Sequence, residues 1–318
     1  MCPRRSAAAF AAAALLAAAP RTGRAQSPQR DAATNAGWII GRDAFAELWF
    51  HCLAVVGYRG DGEYPFYDPR YAIRVRGAKA GAGIETPLEL SAGTFRRAFE
   101  RDSAFEVLHF VPLYFVGRAP EAAVAELASG SSAAARAVRA ALPTDAERAL
   151  FRRFLDAARD EWRLYLSAQL GELTDVSAAS LAGLAAAWRD TILPAIAARL
   201  PAGERAHGIV LVVPALGREG RVVRDVAGGP IVAVGEYGLA ADRSAPLFAT
   251  VRELAFALVP PIEPADPTQR VAAERARDAA ATRSGAALLE AVAPRLAARY
   301  RLVFPTTDGM QVRSFNNK

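Results

Sequence analysis

The residues best placed to do chemistry are Arg252 and Glu253, side by side in "TVRELAFALVPP" (250–261). From Leu247 to Val259 every other residue except Thr250 is apolar. The helix this segment predicts is therefore apolar on every face, and such a helix is buried. A charge buried with it must be paired or line a cavity, because an unpaired buried charge is strongly unfavourable. Two readings stay open from the residues alone. Either the pair reaches a helix edge, where it is solvated or pairs locally, or it belongs to a site.

Other candidates are sparse. The three histidines are His51, His109 and His207. Glu47 and His51 stand at i and i+4 on the polar side of a helix predicted up to Val56, a spacing that could start a metal site but reads as a surface pair. His109 falls in an apolar run and reads as a hydrogen-bonded core residue, and His207 leads into a strand. No G-x-S-x-G, P-loop or G-x-G-x-x-G pattern follows a strand. Asp61, Glu63 and Asp68 are too irregular for a calcium loop. Tyr58, Tyr64, Phe66, Tyr67 and Tyr71 could hold a sugar or peptide, but they read as an ordered loop packed on the body.

The elements that must position these groups read as α+β and predominantly helical. Residues 26–36 are polar and read as disordered. Residues 37–203 read as helices, broken near Pro112 and at Gly130, with Thr144 and Glu147 at capping-box spacing. At 207 the period changes. "HGIVLVVPAL", "RVVRDV" and "GPIVAVGEY" are three short strands, a meander or a hairpin plus one strand. The helix over 245–259 follows, with Ser244 as N-cap, Pro246 in the first turn and Pro260 as its stop. A helical region over 268–299 and a last strand at "YRLVFPTT" complete the order, with a boundary near residue 203.

"VRELAFALV" resembles the active helix of a zinc peptidase, x-H-E-x-x-H, in which two histidines hold the metal and the glutamate activates water. Arg252 and Phe256 stand in the two ligand positions and Glu253 in the position of the base. The order of elements over 207–299 is similar to a zincin of the glutamate type. That resemblance implies an edge strand at "GPIVAVGEY", with Ala233 and Val234 along the cleft. It also implies a third-ligand equivalent on the following helix, Glu274 by spacing, or Glu290. With both histidines replaced, it implies no bound zinc, no cofactor and no hydrolysis at this site, with the Arg252 guanidinium in place of the lost cation. The expected role is binding or structural; the other classes left open are an exported hydrolase of unknown mechanism and a helical envelope scaffold.

The bulk numbers bound the partners. The 318 residues carry a formal net charge of +6. Arg4 and Arg5 precede an apolar run, Ala7–Ala19, and small residues precede Gln26, so residues 1–25 read as a cleaved export signal of the general rather than twin-arginine type. Without its four arginines, Arg4, Arg5, Arg21 and Arg24, the rest of the chain carries +2. That balance gives nucleic acid little to bind. Cys52 is the one cysteine beyond residue 25, so no internal disulfide forms. No later segment is long and apolar enough to span a bilayer. The expectation is an exported, periplasmic or extracellular protein with a peptide or protein partner.

Overall fold

The computed structural model describes residues 33–35, 37–58, 66–224, 229–236, 242–260 and 269–305. The expected signal, Asp61, Glu63 and Tyr64 lie outside them. The chain is α+β and predominantly helical. Its sheet contains β1 (Ala33–Asn35), β2 (Trp38–Gly41), β3 (Gly208–Val213), β4 (Arg221–Val223) and β5 (Ile231–Gly235), in the order β1-β2-β3-β5-β4. β2, β3 and β5 run parallel, and β1 and β4 pair antiparallel at the two ends. Of the two arrangements open from sequence, the β4–β5 hairpin plus β3 is the one formed.

Successive side chains of a strand point to opposite faces, and both faces here are covered. Leu211, Val213, Ile231 and Ala233 pack into the larger helical layer. That layer is built by α1 (Ala44–Val56), α2 (Pro69–Ala82), α3 (Pro87–Arg101), α4 (Pro120–Ser129), α5 (Ala133–Ala140) and α6 (Asp145–Glu161). Val210, Val212, Val232 and Val234, with Trp38 and Ile40, face the second layer. There lie α7 (Ala178–Ala187), α8 (Ala245–Ala255), α9 (Arg270–Glu290) and α10 (Pro294–Val303). Burial on both faces explains why β3 and β5 read as unbroken apolar runs rather than alternating ones.

Several elements depart from the sequence reading. Trp38–Gly41 is a strand, not the start of a helix, and it pairs with Gly208–Leu211. The sheet thus draws strands from both sides of residue 203. Opposite Trp38, a Cβ on Gly208 would meet the indole ring at 2.5 Å, so only glycine lets this pair close. Ala33–Asn35, inside the stretch read as disordered, forms the end strand β1. The Gly- and Tyr-rich segment read as a loop contains α2, which Asp68 caps by accepting the Arg70 N–H at 2.9 Å and Pro69 opens. Tyr300–Val303, read as strand, is the last turn of α10. Elsewhere local signals hold. Thr144 and Glu147 form a reciprocal capping box, with bonds of 2.9 and 3.2 Å.

Candidate functional site

The sequence candidate is built on α8. Ser244 stands at its N-cap position, Pro246 opens it, and all of its residues are buried. Arg252 is 1% exposed and Glu253 3%. The pair is not at a solvated edge. Arg252 Nη1 lies 2.7 Å from Glu253 Oε1, and its Nε donates to Thr282 Oγ1 at 3.1 Å. Nη2 lies 3.5 Å from Asp278 Oδ1 on α9. The guanidinium faces the Phe256 ring at 5.2 Å and the Phe304 ring at 5.8 Å. Burial opposes its charge, but the Glu253, Asp278 and Glu219 carboxylates outweigh burial and hold Arg252 above the ordinary arginine range.

Glu253 is held from a second side. Its Oε1 also accepts the Gly220 backbone N–H at 3.1 Å. A Cβ on Gly220 would come within 2.5 Å of the Ala233 carbonyl oxygen and 2.8 Å of Glu253 Cγ, so a glycine is needed for this approach. The 214–220 loop thereby ties β3 and β4 to α8, and it brings the buried Glu219 close to Arg252.

Arg252, Glu253 and Phe256 come together as their spacing predicts. Position 274 lies in α9, and its side chain is outside the described residues. Glu290 is exposed and pairs with Arg301, away from Arg252. Among the described residues of α9, the carboxylate that reaches the guanidinium is Asp278, one turn beyond 274. Ala233 and Val234 do not lie at an edge. β5 is hydrogen-bonded to β3 and β4 on its two sides, so β4 is the end strand. Asp278, Thr282, Glu219 and Gly220 escape a sequence reading because each belongs to another element; the only hint is that Asp278 and Thr282 share a helical face at i and i+4.

The donor set does not fit zinc. Phenylalanine cannot ligate a metal, guanidinium repels one, and the carboxylates are committed to Arg252. Among the described residues no three His, Cys, Asp or Glu side chains converge on a common point. The chain matches no protein-family model, no curated protein and no solved structure.

A second polar centre lies on the other face of the sheet, and it corrects the reading of Glu47 and His51. Both are buried, His51 completely, because α1 is enclosed on every side. His51 Nε2 meets Glu161 Oε1 at 2.8 Å, and Nδ1 meets Tyr71 Oη at 2.8 Å. Nε2 donates to the carboxylate when it carries a proton, and the direction of the Nδ1–Tyr71 bond follows the tautomer. Lys79 Nζ donates to Glu161 Oε2 at 2.8 Å, Thr86 Oγ1 at 3.0 Å and Glu89 Oε2 at 3.1 Å. All three ammonium protons are used. Thr86 Oγ1 in turn donates a hydrogen bond to Glu161 Oε2 at 2.5 Å. Burial pushes Glu161 up, but the hydrogen bond and positive charge of His51 and the bonds from Lys79 and Thr86 prevail and bring it down to about 2.

A π-helical turn, Trp162–Leu166, follows Glu161 directly and sets the Tyr165 ring 4.9 Å from the Lys79 ammonium. Such turns insert one residue into the helical ladder and re-aim the side chains around it. Four residues before His51, Glu47 pairs bidentately with Arg42, at 2.5 and 2.6 Å. Burial, partly offset by Arg42, raises Glu47 to about 7. One sequence signal could have pointed to Lys79. It is one of two lysines among 39 basic residues, and a compact three-donor cation is what this pocket requires.

Proposed function

We propose that the chain is an exported, non-catalytic protein with a zincin-like core, whose former active cleft serves binding or structure. One observation carries the reading. Glu253, the single residue α8 shares with the zinc-peptidase helix, accepts both the Arg252 guanidinium and the Gly220 N–H. Both bonds fall on Oε1, which is thereby taken up by protein donors, and the adjacent guanidinium disfavours a metal ion beside it. Arg252 supplies the positive charge that a metal ion supplies in the zinc enzymes, and Phe256 closes the second ligand position. The export signal read in residues 1–25 supports the compartment. No helix among the described residues is long and apolar enough to cross a membrane.

The partner on this reading is an extended peptide or protein segment. It would add at β4, since β5 has ladder partners on both sides. The test is elemental analysis of the purified chain after zinc loading and dialysis, alongside a broad peptidase assay. The expected result is far less than one zinc per chain and no cleavage. Near-stoichiometric zinc, or turnover lost in Glu253→Gln, overturns the reading.

A further inference from the structure

We propose that α2 is a detachable cover, held on the body by the buried ionic network rather than by apolar packing, and that it opens as a unit while the rest of the fold stays closed. The argument starts from what α2 buries. Only Tyr71, Val75 and Lys79 of its fourteen residues are buried. Two of these three are members of the network around His51 and Glu161. Val75 and the Tyr71 ring are the apolar groups α2 buries, and they are little surface to dock a helix of this length. At its C-terminal end Gly83 caps α2 in the left-handed region, φ 66°. Ile73, on its outer face, is 61% exposed.

The attachment is thus a set of bonds that depend on one another. Glu161 receives His51, Lys79 and Thr86 together, so losing its charge leaves the Lys79 ammonium with Glu89 as its remaining carboxylate. Elements that dock by few apolar contacts populate locally unfolded states well below the global unfolding free energy. The groups facing His51 are Tyr71 from α2, Glu161 from α6 and Tyr165 from the π turn, with Lys79 beside Glu161.

Cys52 reports the opening. It is fully buried, and its thiol feels the charges of both Glu161 and Lys79. Labelling of a buried thiol requires an opening, and when closing outruns labelling the rate measures the open population. The experiment follows maleimide labelling of the full chain under native conditions, read at the Cys52 peptide so that Cys2 does not interfere. Hydrogen exchange is measured in parallel over 69–82 and over α6. The expected result is Cys52 labelling and α2 exchange faster than global unfolding allows. Glu161→Gln raises both by about tenfold or more beyond its effect on the global transition. Leu127→Ala, in the core of α4, moves labelling and global stability in step.

Should Glu161→Gln fail to fold, Tyr71→Phe removes one bond of the network and makes the same comparison at smaller amplitude. Cys52 labelling and α2 exchange that track global unfolding in the wild type, with no excess in the network variants, overturn the proposal.

Discussion

Removing the guanidinium of Arg252 takes away the cation that pairs with Glu253 and Asp278 in a buried space. Breaking a buried pair from one side costs about 3–5 kcal/mol. Arg252→Ala is therefore expected to lower the unfolding free energy measured by urea titration by an amount in that range, and an unchanged value would show that the pairing contributes nothing. Gly220→Ala drives a methyl group against the Ala233 carbonyl and Glu253 Cγ, an overpacking of about 1–3 kcal/mol. The two buried glutamates of the other centre predict opposite pH effects. Glu161 titrates at about 2 in the fold against 4.5 unperturbed. Its contribution is complete above about 4.5 and is lost as pH falls toward 2. Glu47 titrates at about 7 against 4.5. The folded state then binds the proton more tightly than the unfolded one, so stability declines as pH rises from about 4.5 to 7. Urea titrations across pH 2–8 are expected to show both slopes, with the upper one reduced in Glu47→Gln. At this scale the sequence disclosed the Arg252–Glu253 anomaly, because two charges in an apolar helix need no partner list to be noticed. It misplaced Glu47 and His51. An i, i+4 polar pair looks like a surface stripe unless one knows that neighbours enclose the helix on every side.

Helix boundaries follow local chemistry where a cap or a proline sets them. Thr144 and Glu147 satisfy each other's backbone N–H groups at the start of α6. Thr144→Ala is expected to destabilise by about 1 kcal/mol, seen as a lower thermal midpoint with unchanged native far-UV circular dichroism. Where the sequence misled, a composition cue competed with a cap. The glycines and tyrosines of 57–83 suggest a loop, yet Asp68 and Pro69 start a helix that buries only Tyr71, Val75 and Lys79, too few apolar positions to betray it as a stripe. Trp38–Gly41 reads as part of the following helix because a four-residue apolar strand carries no usable period of its own. Its identity as a strand depends on Gly208, which lies 170 positions away and makes room for the indole.

That long-range pairing governs how the molecule holds together. β3 is the centre of the sheet. It lies between β2, from the N-terminal side of the helical body, and β5, from the C-terminal side. The faces are shared in the same way. Trp38 packs on Trp188 with ring centroids 4.8 Å apart, while Leu211, Val213 and Ala233 are covered by helices that precede residue 203. A chain of residues 204–318 alone would lose the β2 ladder and expose one whole face of β3 and β5. Fully exposing a buried Val or Leu costs about 1.5–3 kcal/mol, and a few such residues equal the net stability of a typical domain, about 5–15 kcal/mol. Residues 204–318 expressed by themselves are therefore expected to show no cooperative thermal transition and to bind a hydrophobic dye, whereas the full chain unfolds cooperatively. A sharp transition in the fragment would make the C-terminal part an independent domain and reduce β2 to an accessory strand. The two buried charge centres lie on opposite faces of this one sheet, so such a domain would retain the Arg252 centre and lack the His51 network.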